Sequence, residues 1–119
     1  MKYRVWDKFQ KIFIQNIVVD NSGELIILIG NIWQYLNDKE KNNFIISKYS
    51  NYETKYGYLC EGDIVSDISS KNPLIVVYDE KKWLLYNNLK GTYIEISDNI
   101  KDKIKIIGNV YETPELLEK

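Results

Sequence analysis

Two acidic side chains, Glu61 and Asp63, stand two positions apart and could act as a general acid and a general base. Hydrolysis by a carboxylate pair requires two such groups that face one site. Gly62 stands between them, however, and a glycine flanked by carboxylates is typical of a tight turn whose acids bind backbone amides. We therefore expect Glu61, Gly62 and Asp63 to form a structural turn that leads into the β-branched pair Ile64 and Val65.

Other catalytic chemistry is limited by composition. The chain has no histidine and a single cysteine, Cys60, which excludes Ser-His-Asp and Cys-His catalysis as well as histidine metal ligands. We expect Cys60 to be a buried structural thiol, and a lone cysteine favours a reduced, cytoplasmic setting. No phosphate-loop, zinc-knuckle or calcium-loop pattern is present. The sequence therefore predicts a protein that is not an enzyme, with no catalytic residue, metal or cofactor.

The candidate binding residues are one arginine, one aspartate and the tryptophans: Arg4, Trp6, Asp7, Trp33 and Trp83. Arg4 is the only arginine, and it can make bidentate contacts that lysine cannot. Its partner is either an external ligand or a carboxylate of this chain, such as Asp7 or Asp63, which would fix the N-terminal strand. The tryptophans either pack in a core or mark a binding face where they are exposed.

The composition describes a small folded protein without strong charge. Hydrophobic residues make up 45% of the 119 residues, so a core can form within a single domain. Sixteen basic and seventeen acidic residues give a net charge of −1, which provides no general attraction to nucleic acid or to an anionic membrane. No apolar run approaches the length that spans a bilayer, and no signal-peptide pattern is present.

Turn residues divide the chain into short apolar segments, which is typical of a mainly β protein, barrel or sandwich. Residues 32–36 fit either a strand or a helical turn. We find no internal repeat. The predicted strands are residues 3–6, 11–19, 24–29, 43–49, 64–68, 74–78, 83–86, 92–96 and 104–110.

The remaining segments are assigned by their polar and turn-forming residues. Residues 38–43 are predicted to be a charged loop, residues 50–55 a polar loop, and residues 69–73 the end of a strand. Residues 98–103 are predicted to form one helical turn with Asp98 as the N-cap. Gly108 indicates a bulge or a close backbone approach. The alternating lysines at 101, 103 and 105 are interpreted as a solvated strand edge rather than a phosphate track.

Three separated segments together resemble the YopX family of phage and prophage proteins. They are Tyr-Arg-Val-Trp-Asp-Lys at residues 3–8, Glu-Gly-Asp-Ile-Val at 61–65, and Ile-Gly-Asn-Val-Tyr-Glu-Thr-Pro-Glu-Leu-Leu at 107–117. The last segment contains Gly108 and Asn109, which we expect to be structural turn residues. The family's Tyr-Thr-Gly-Leu-Lys-Asp-Lys-Asn-Gly stretch is replaced here by the shorter residues 52–57.

The resemblance implies a fold and a setting rather than a reaction. It implies a single domain over residues 1–119, with an N-terminal β extension at 1–50 and a small SH3-like barrel at 51–119. A short C-terminal helix is expected to begin at Thr113-Pro114-Glu115.

The function expected from the fold and the resemblance is that of a phage or prophage accessory protein in the bacterial cytoplasm. It would bind another protein, or bind itself and form a homo-oligomer, with no role at a membrane. The alternative is a small nucleic-acid-binding β-barrel that stacks bases on aromatic side chains, although the net charge does not support it.

Overall fold

The structure is a computed structural model that describes residues 2–67 and 70–118. The fold is mainly β, as the spacing of turn residues predicts, and it includes a curled sheet that forms a half barrel. The chain divides into two compact units, Met1–Lys48 and Tyr49–Lys119. The predicted single domain, with its boundary at residue 50, stays a prediction.

The first unit is built from antiparallel strands. β1 pairs with β2 on one side and with the beginning of β6 on the other, while β3, β4 and β5 form a second sheet in that order. The elements are β1 (Tyr3–Asp7), β2 (Ile12–Ile14), β3 (Ile17–Val19), β4 (Leu25–Ile29), β5 (Ile32–Tyr35), α1 (Asp38–Lys41) and β6 (Phe44–Thr54).

The predicted strand at residues 11–19 is wrong, because it is two strands interrupted at Gln15 and Asn16. Asn16 instead binds β4: its carbonyl accepts the N–H of Leu28 at 2.8 Å and its side-chain amide donates to the Leu28 carbonyl at 3.0 Å. An asparagine side chain can form hydrogen bonds with backbone groups that lie outside a regular strand ladder. This explains why the strand is interrupted within an apolar run. The core of this unit is formed by Val5, Ile17, Leu25 and Leu36.

Residues 38–43 do not form the predicted loop, because α1 begins there with a complete capping box. The side chain of Asn37 accepts the N–H of Glu40 at 2.8 Å, and the Glu40 carboxylate accepts the N–H of Asn37 at 3.1 Å. Two orphan donors of the first turn are thus satisfied reciprocally, and this stabilises a helix of only four residues. The prediction followed the charged composition of this segment and overlooked the three-residue spacing of Asn37 and Glu40, which is typical of a capping box.

In the second unit the end of β6 pairs with β7, and the next five strands form an antiparallel sheet in the order β11-β10-β9-β8-β12. The buried side chains of its core are Leu59, Val65, Leu74, Val76, Leu85, Ile96 and Ile104. The elements are β7 (Gly57–Cys60), β8 (Asp63–Asp67), β9 (Ser70–Asp79), β10 (Lys82–Asn87), β11 (Thr92–Glu95), α2 (Asp98–Lys101) and β12 (Ile104–Asn109).

Two polar segments of this unit belong to strands, although residues 50–55 were predicted to be a loop and residues 69–73 the end of the preceding strand. Residues 50–54 continue β6, with a register shift between Tyr49 and Glu53. Of residues 69–73, Ser69 lies outside the described residues and the others belong to β9. Pro73 is tolerated there because the ladder with β8 is already irregular between Val65 and Asp67, so its missing N–H interrupts no regular pairing.

Of the two helices predicted in the C-terminal half, the first has a different N-cap, and the second begins at Pro114 as predicted but is a 3-10 helix. α2 covers residues 98–101, and its N-cap is Ser97 rather than Asp98. The C-terminal segment is a four-residue 3-10 helix, Pro114–Leu117, preceded by Thr113, which makes no side-chain cap bond to it. The hydroxyl of Thr113 is engaged elsewhere, with the backbone of Asn109.

Candidate functional site

The β3–β4–β5 sheet of the first unit has apolar side chains on both faces. Directly paired residues of an antiparallel sheet lie on the same face. Val18 pairs with Ile26 and Ile26 with Tyr35, while Leu28 pairs with Trp33. The neighbours Ile17, Val19, Leu25 and Ile27 belong to the core on the opposite side. We call the outward surface the apolar face, and its residues are Val18, Ile26, Leu28, Trp33 and Tyr35.

The apolar face is most exposed along β5, which is the last strand of its sheet. Trp33 is 51% exposed and Tyr35 is 64% exposed. Ile32, at the start of the strand and on its other face, is also exposed. The solvated face of an antiparallel sheet is ordinarily polar. A contiguous apolar surface rimmed by polar residues marks a site of interaction.

The other predicted binding residues of the first unit form a packed cluster. Trp6 is only 6% exposed, and its ring meets the Phe13 ring edge-on at a centroid distance of 4.9 Å. The guanidinium carbon of Arg4 lies 4.8 Å from the centroid of the same Phe13 ring. Phe13 therefore lies against both side chains, and this geometry stabilises the β1–β2 hairpin through aromatic and cation–π contacts. A binding role for Arg4 and Trp6 stays a prediction.

Asp7 closes the loop between β1 and β2. Its Oδ1 accepts the N–H groups of Phe9 at 2.9 Å and Gln10 at 3.0 Å, and also the side-chain amide of Asn43 at 2.8 Å. The N–H of Gln10 lowers the pKa of Asp7 most, with further lowering by Asn43 and Phe9 against the opposite effect of burial. The charged form of Asp7 is thus the form that this loop stabilises.

Glu61 and Gly62 connect β7 to β8, and Gly62 has the positive φ that the sequence suggests, +86°. Asp63 is 3% exposed, and its Oδ2 accepts the N–H of Cys60 at 2.9 Å across the turn. This is the amide-binding role expected for an acid beside a turn glycine. Cys60 is buried and is not part of a disulfide.

The residues Gly108 and Asn109 organise the last loop of the chain. β12 shifts register between Ile106 and Gly108, and a Cβ on Gly108 would lie 2.1 Å from the Thr113 hydroxyl, so both the bulge and the close approach are present. The Asn109 Oδ1 accepts the N–H groups of Tyr111 and Glu112 at 3.1 and 2.8 Å, and its amide donates to the Glu112 carboxylate at 2.8 Å. The loop is therefore a structural motif built on one buried asparagine.

The aromatic side chains of the second unit divide between core and surface. Trp83 packs partly buried against the core, where its ring lies 4.8 Å from that of Tyr78. Tyr93 and Tyr56 are exposed instead. A cleft of about 310 Å³ lies beside Tyr56 and is lined by Lys55, Tyr56, Ser66, Asp102, Lys103, Ile104 and Lys105.

Sequence reasoning selected Trp33 but missed the rest of the apolar face and the cleft. The unbroken apolar run of β4 was the available signal for the face, since such a strand in a hairpin has apolar residues on both sides. Over residues 2–67 and 70–118, no helix is long and apolar enough to cross a membrane. In the same part of the chain, no group of three or more histidine, cysteine, aspartate or glutamate side chains could hold a metal ion.

Comparison with known proteins identifies one family. The sequence model of the YopX family, described as YopX protein, matches residues 2–118. The crystal structure of protein yopX from Bacillus subtilis is similar to this chain, with a TM-score of 0.64 and 17% sequence identity over 98% of this chain and 95% of that chain. At this identity the likeness concerns the fold. No curated protein matches the sequence significantly.

Proposed function

The chain belongs to the YopX family, and on that premise we propose that it is a non-enzymatic phage or prophage accessory protein of the bacterial cytoplasm. It acts by binding protein, and its first partner is a second copy of itself. The observation that carries this function is the apolar face of the first unit. Trp33 and Tyr35 leave their rings largely in solvent on this face, and burying them against a partner would remove apolar area from water.

A second copy fits this face because neither the apolar face nor its edge strand, β5, carries a charged side chain. β5 reads Ile-Trp-Gln-Tyr and has no acidic or basic side chain and no proline, the devices that ordinarily block an edge strand. Antiparallel pairing of β5 with its own copy would oppose Trp33 to Tyr35 of the second copy on the apolar face and Gln34 to Gln34 on the other face. Such a contact is self-complementary around a two-fold axis, and no like charges meet in it.

The proposal includes an SH3-like assignment for the second unit. In its support, the strands from β8 to β12 form one antiparallel sheet, and the single turn of α2 separates β11 from β12. Small barrels of this class serve many unrelated functions, so this assignment accompanies the binding function and does not carry it.

The test is the oligomeric state of the purified protein and of one surface variant. We expect sedimentation velocity to show self-association of the wild type that increases with protein concentration. Trp33→Glu places a charge in the centre of the apolar face, and we expect it to weaken association at least tenfold. The matched control is Tyr93→Glu, since Tyr93 is an exposed aromatic residue on β11, the edge strand of the other unit.

Two results would count against the proposal. If the wild type stays monomeric at high concentration, the second copy is not the partner, and affinity capture from host lysate with wild type and Trp33→Glu as paired baits then tests for another protein. If, in addition, no protein is captured by the wild type and lost with the variant, the apolar face is not a binding surface. Circular dichroism of both variants must match the wild type for the comparison to hold.

A further inference from the structure

A second surface with its own chemistry lies in the second unit, at the cleft beside Tyr56. The turn between β6 and β7 contributes Lys55 and Tyr56, and the adjoining strands β8 and β12 contribute Ser66 and Lys105. Ser66 and Lys105 are direct partners in the β8–β12 ladder, so their side chains lie on one face. The buried Ile104 is also part of the lining. All of these groups belong to one unit, and they are positioned by the strands β8 and β12 and by the tight turn between β6 and β7.

The charge of the cleft is opposite in sign to that of the whole chain. Three lysines and one aspartate line it, which gives a local charge of +2, whereas the chain as a whole carries −1. Within the part of the chain that the structure describes, Lys55, Lys103 and Lys105 make no ion pair with a carboxylate. Lys101, by contrast, lies 3.6 Å from Asp98. The cleft therefore concentrates positive charge that the net charge conceals, and such a site attracts anions.

An aromatic ring stands at the same place. Tyr56 is 55% exposed, and the Nζ of Lys105 lies 5.4 Å from the centroid of its ring. Exposed rings beside cationic side chains are the common elements of single-stranded nucleic-acid binding, because every base can stack on a ring while lysines contact the phosphate. Ser66 adds a hydroxyl that can donate or accept a hydrogen bond.

The volume limits the size of what can bind. A cleft of about 310 Å³ is at the lower end of small-molecule sites. We propose that this cleft binds one nucleotide unit, with its base on the Tyr56 ring and its phosphate among Lys55, Lys103 and Lys105. The unit belongs either to a free nucleotide or to a single-stranded nucleic acid, since both offer the same base and phosphate. This function is independent of the apolar face in the first unit.

The first experiment measures binding of two probes at low salt. Fluorescence anisotropy of a labelled twelve-residue oligothymidylate reports on single strands, and calorimetric titration with adenosine monophosphate reports on the free nucleotide. Binding of either probe supports the proposal and identifies the source of the nucleotide unit. In the oligonucleotide, the three lysines can contact the phosphate of the bound unit and the phosphates on either side of it. Three such contacts predict a slope of about −2 in a plot of log K against log salt concentration, at about −0.7 for each phosphate.

Variants then localise the binding. We expect Lys103→Gln and Lys105→Gln each to reduce the salt slope by about 0.7. Tyr56→Leu removes the stacking surface and should weaken binding about 5- to 150-fold. The matched controls lie outside the cleft: Lys90→Gln in the exposed loop after β10 and Tyr93→Leu on β11 should bind as the wild type does.

Two outcomes would overturn the proposal. One is the absence of binding of both probes at low salt to protein whose folding is verified by circular dichroism. The other is binding that falls equally in the cleft variants and in the Lys90 and Tyr93 controls, which would indicate diffuse charge attraction. Trp33→Glu should leave nucleotide binding unchanged, so a failure here is separate from a failure of self-association.

Discussion

Replacing Gly62 by valine tests whether the turn between β7 and β8 organises the second unit. Gly62 has φ +86°, and its backbone is bound on both sides. Its N–H donates to the Val76 carbonyl at 2.9 Å, and its carbonyl accepts the N–H of Val110 at 2.8 Å. The chain cannot rotate to a more favourable φ without losing these bonds. A side chain must therefore be accommodated in the present conformation or disrupt the turn.

Two contributions add in this variant. A β-branched residue held at positive φ is strained by about 1–3 kcal/mol. A Cβ at this position would also lie 3.0 Å from the Tyr111 ring and 3.3 Å from the Val110 side chain. Overpacking of this kind costs about 1–3 kcal/mol. The expected loss is about 2–6 kcal/mol, a large part of the roughly 5–15 kcal/mol that holds a domain folded.

Gly91→Val separates the two contributions. Gly91 has φ +67°, but no heavy atom lies within 4 Å of a Cβ built there, so its substitution introduces strain without crowding. In thermal unfolding followed by circular dichroism, we expect Gly62→Val to melt about 4–12 °C below Gly91→Val. Equal melting temperatures would mean that Tyr111 moves aside freely. A Gly62→Val protein as stable as the wild type would refute the reasoning on both counts.

The remaining predictions concern polar groups that hold turns. Asn37→Ala should lower the free energy of unfolding by about 1 kcal/mol because it removes the capping box. Ser97→Ala should change the free energy of unfolding little, since Ser97 makes no side-chain cap bond. Urea titration of both variants would show the difference. The pKa of Asp7 is lowered in the folded protein from its ordinary value of 3.8, so the charged group stabilises the fold above about pH 4, and this contribution disappears as the pH falls through the folded-state pKa. We therefore expect Asp7→Asn to be less stable than the wild type at pH 7, and we expect this difference in stability to narrow as the pH falls from about 4 through the folded-state pKa. A difference that stays constant from pH 7 to pH 3 would contradict a role for the charge.

The residues that shape the backbone were the most predictable part of this protein. Gly62 has positive φ, and a side chain at Gly108 would meet Thr113 and Leu116 of the following loop and helix. The sequence context of each glycine indicates such a constraint. Most strands were also predicted correctly, because turn residues mark their ends. The wrong predictions concern polar segments that specific hydrogen bonds hold in a helix or strand, as at α1 and along β6. Composition alone predicts a loop for such charged and polar segments.

The surfaces were less predictable, because they depend on which segments become neighbours. Trp6, Trp33 and Trp83 are the same residue type and each lies in a β-strand, yet one is buried, one is exposed and one is partly buried. Strand register decides the outcome, because a shift of one residue would exchange the faces of β5. The cleft brings Lys55 and Tyr56 beside Lys105 across about fifty positions of sequence, a juxtaposition that no local pattern contains.

One local structure occurs in both units although their sequences do not indicate a repeat. In each, an edge strand is followed directly by a buried residue, Leu36 or Ile96, whose N–H donates at 3.0 Å to a carbonyl of the preceding strand. A cap residue, Asn37 or Ser97, then begins a four-residue helix, and a strand follows after two further residues. The shared side chains are an aspartate and a lysine that lie near each other within each helix, Asp38 with Lys41 and Asp98 with Lys101.

This repetition gives an internal comparison for the apolar face. If the local fold required an uncharged edge strand, β11 would lack charge as β5 does. β11 likewise exposes Tyr93 and Ile94, but it ends with Glu95, which stands at the position that Tyr35 occupies in β5. A charged end of this kind blocks pairing with another strand. The same backbone is therefore compatible with a charged edge strand, so the local fold does not require the uncharged edge of β5, which is the feature on which the proposed self-association depends.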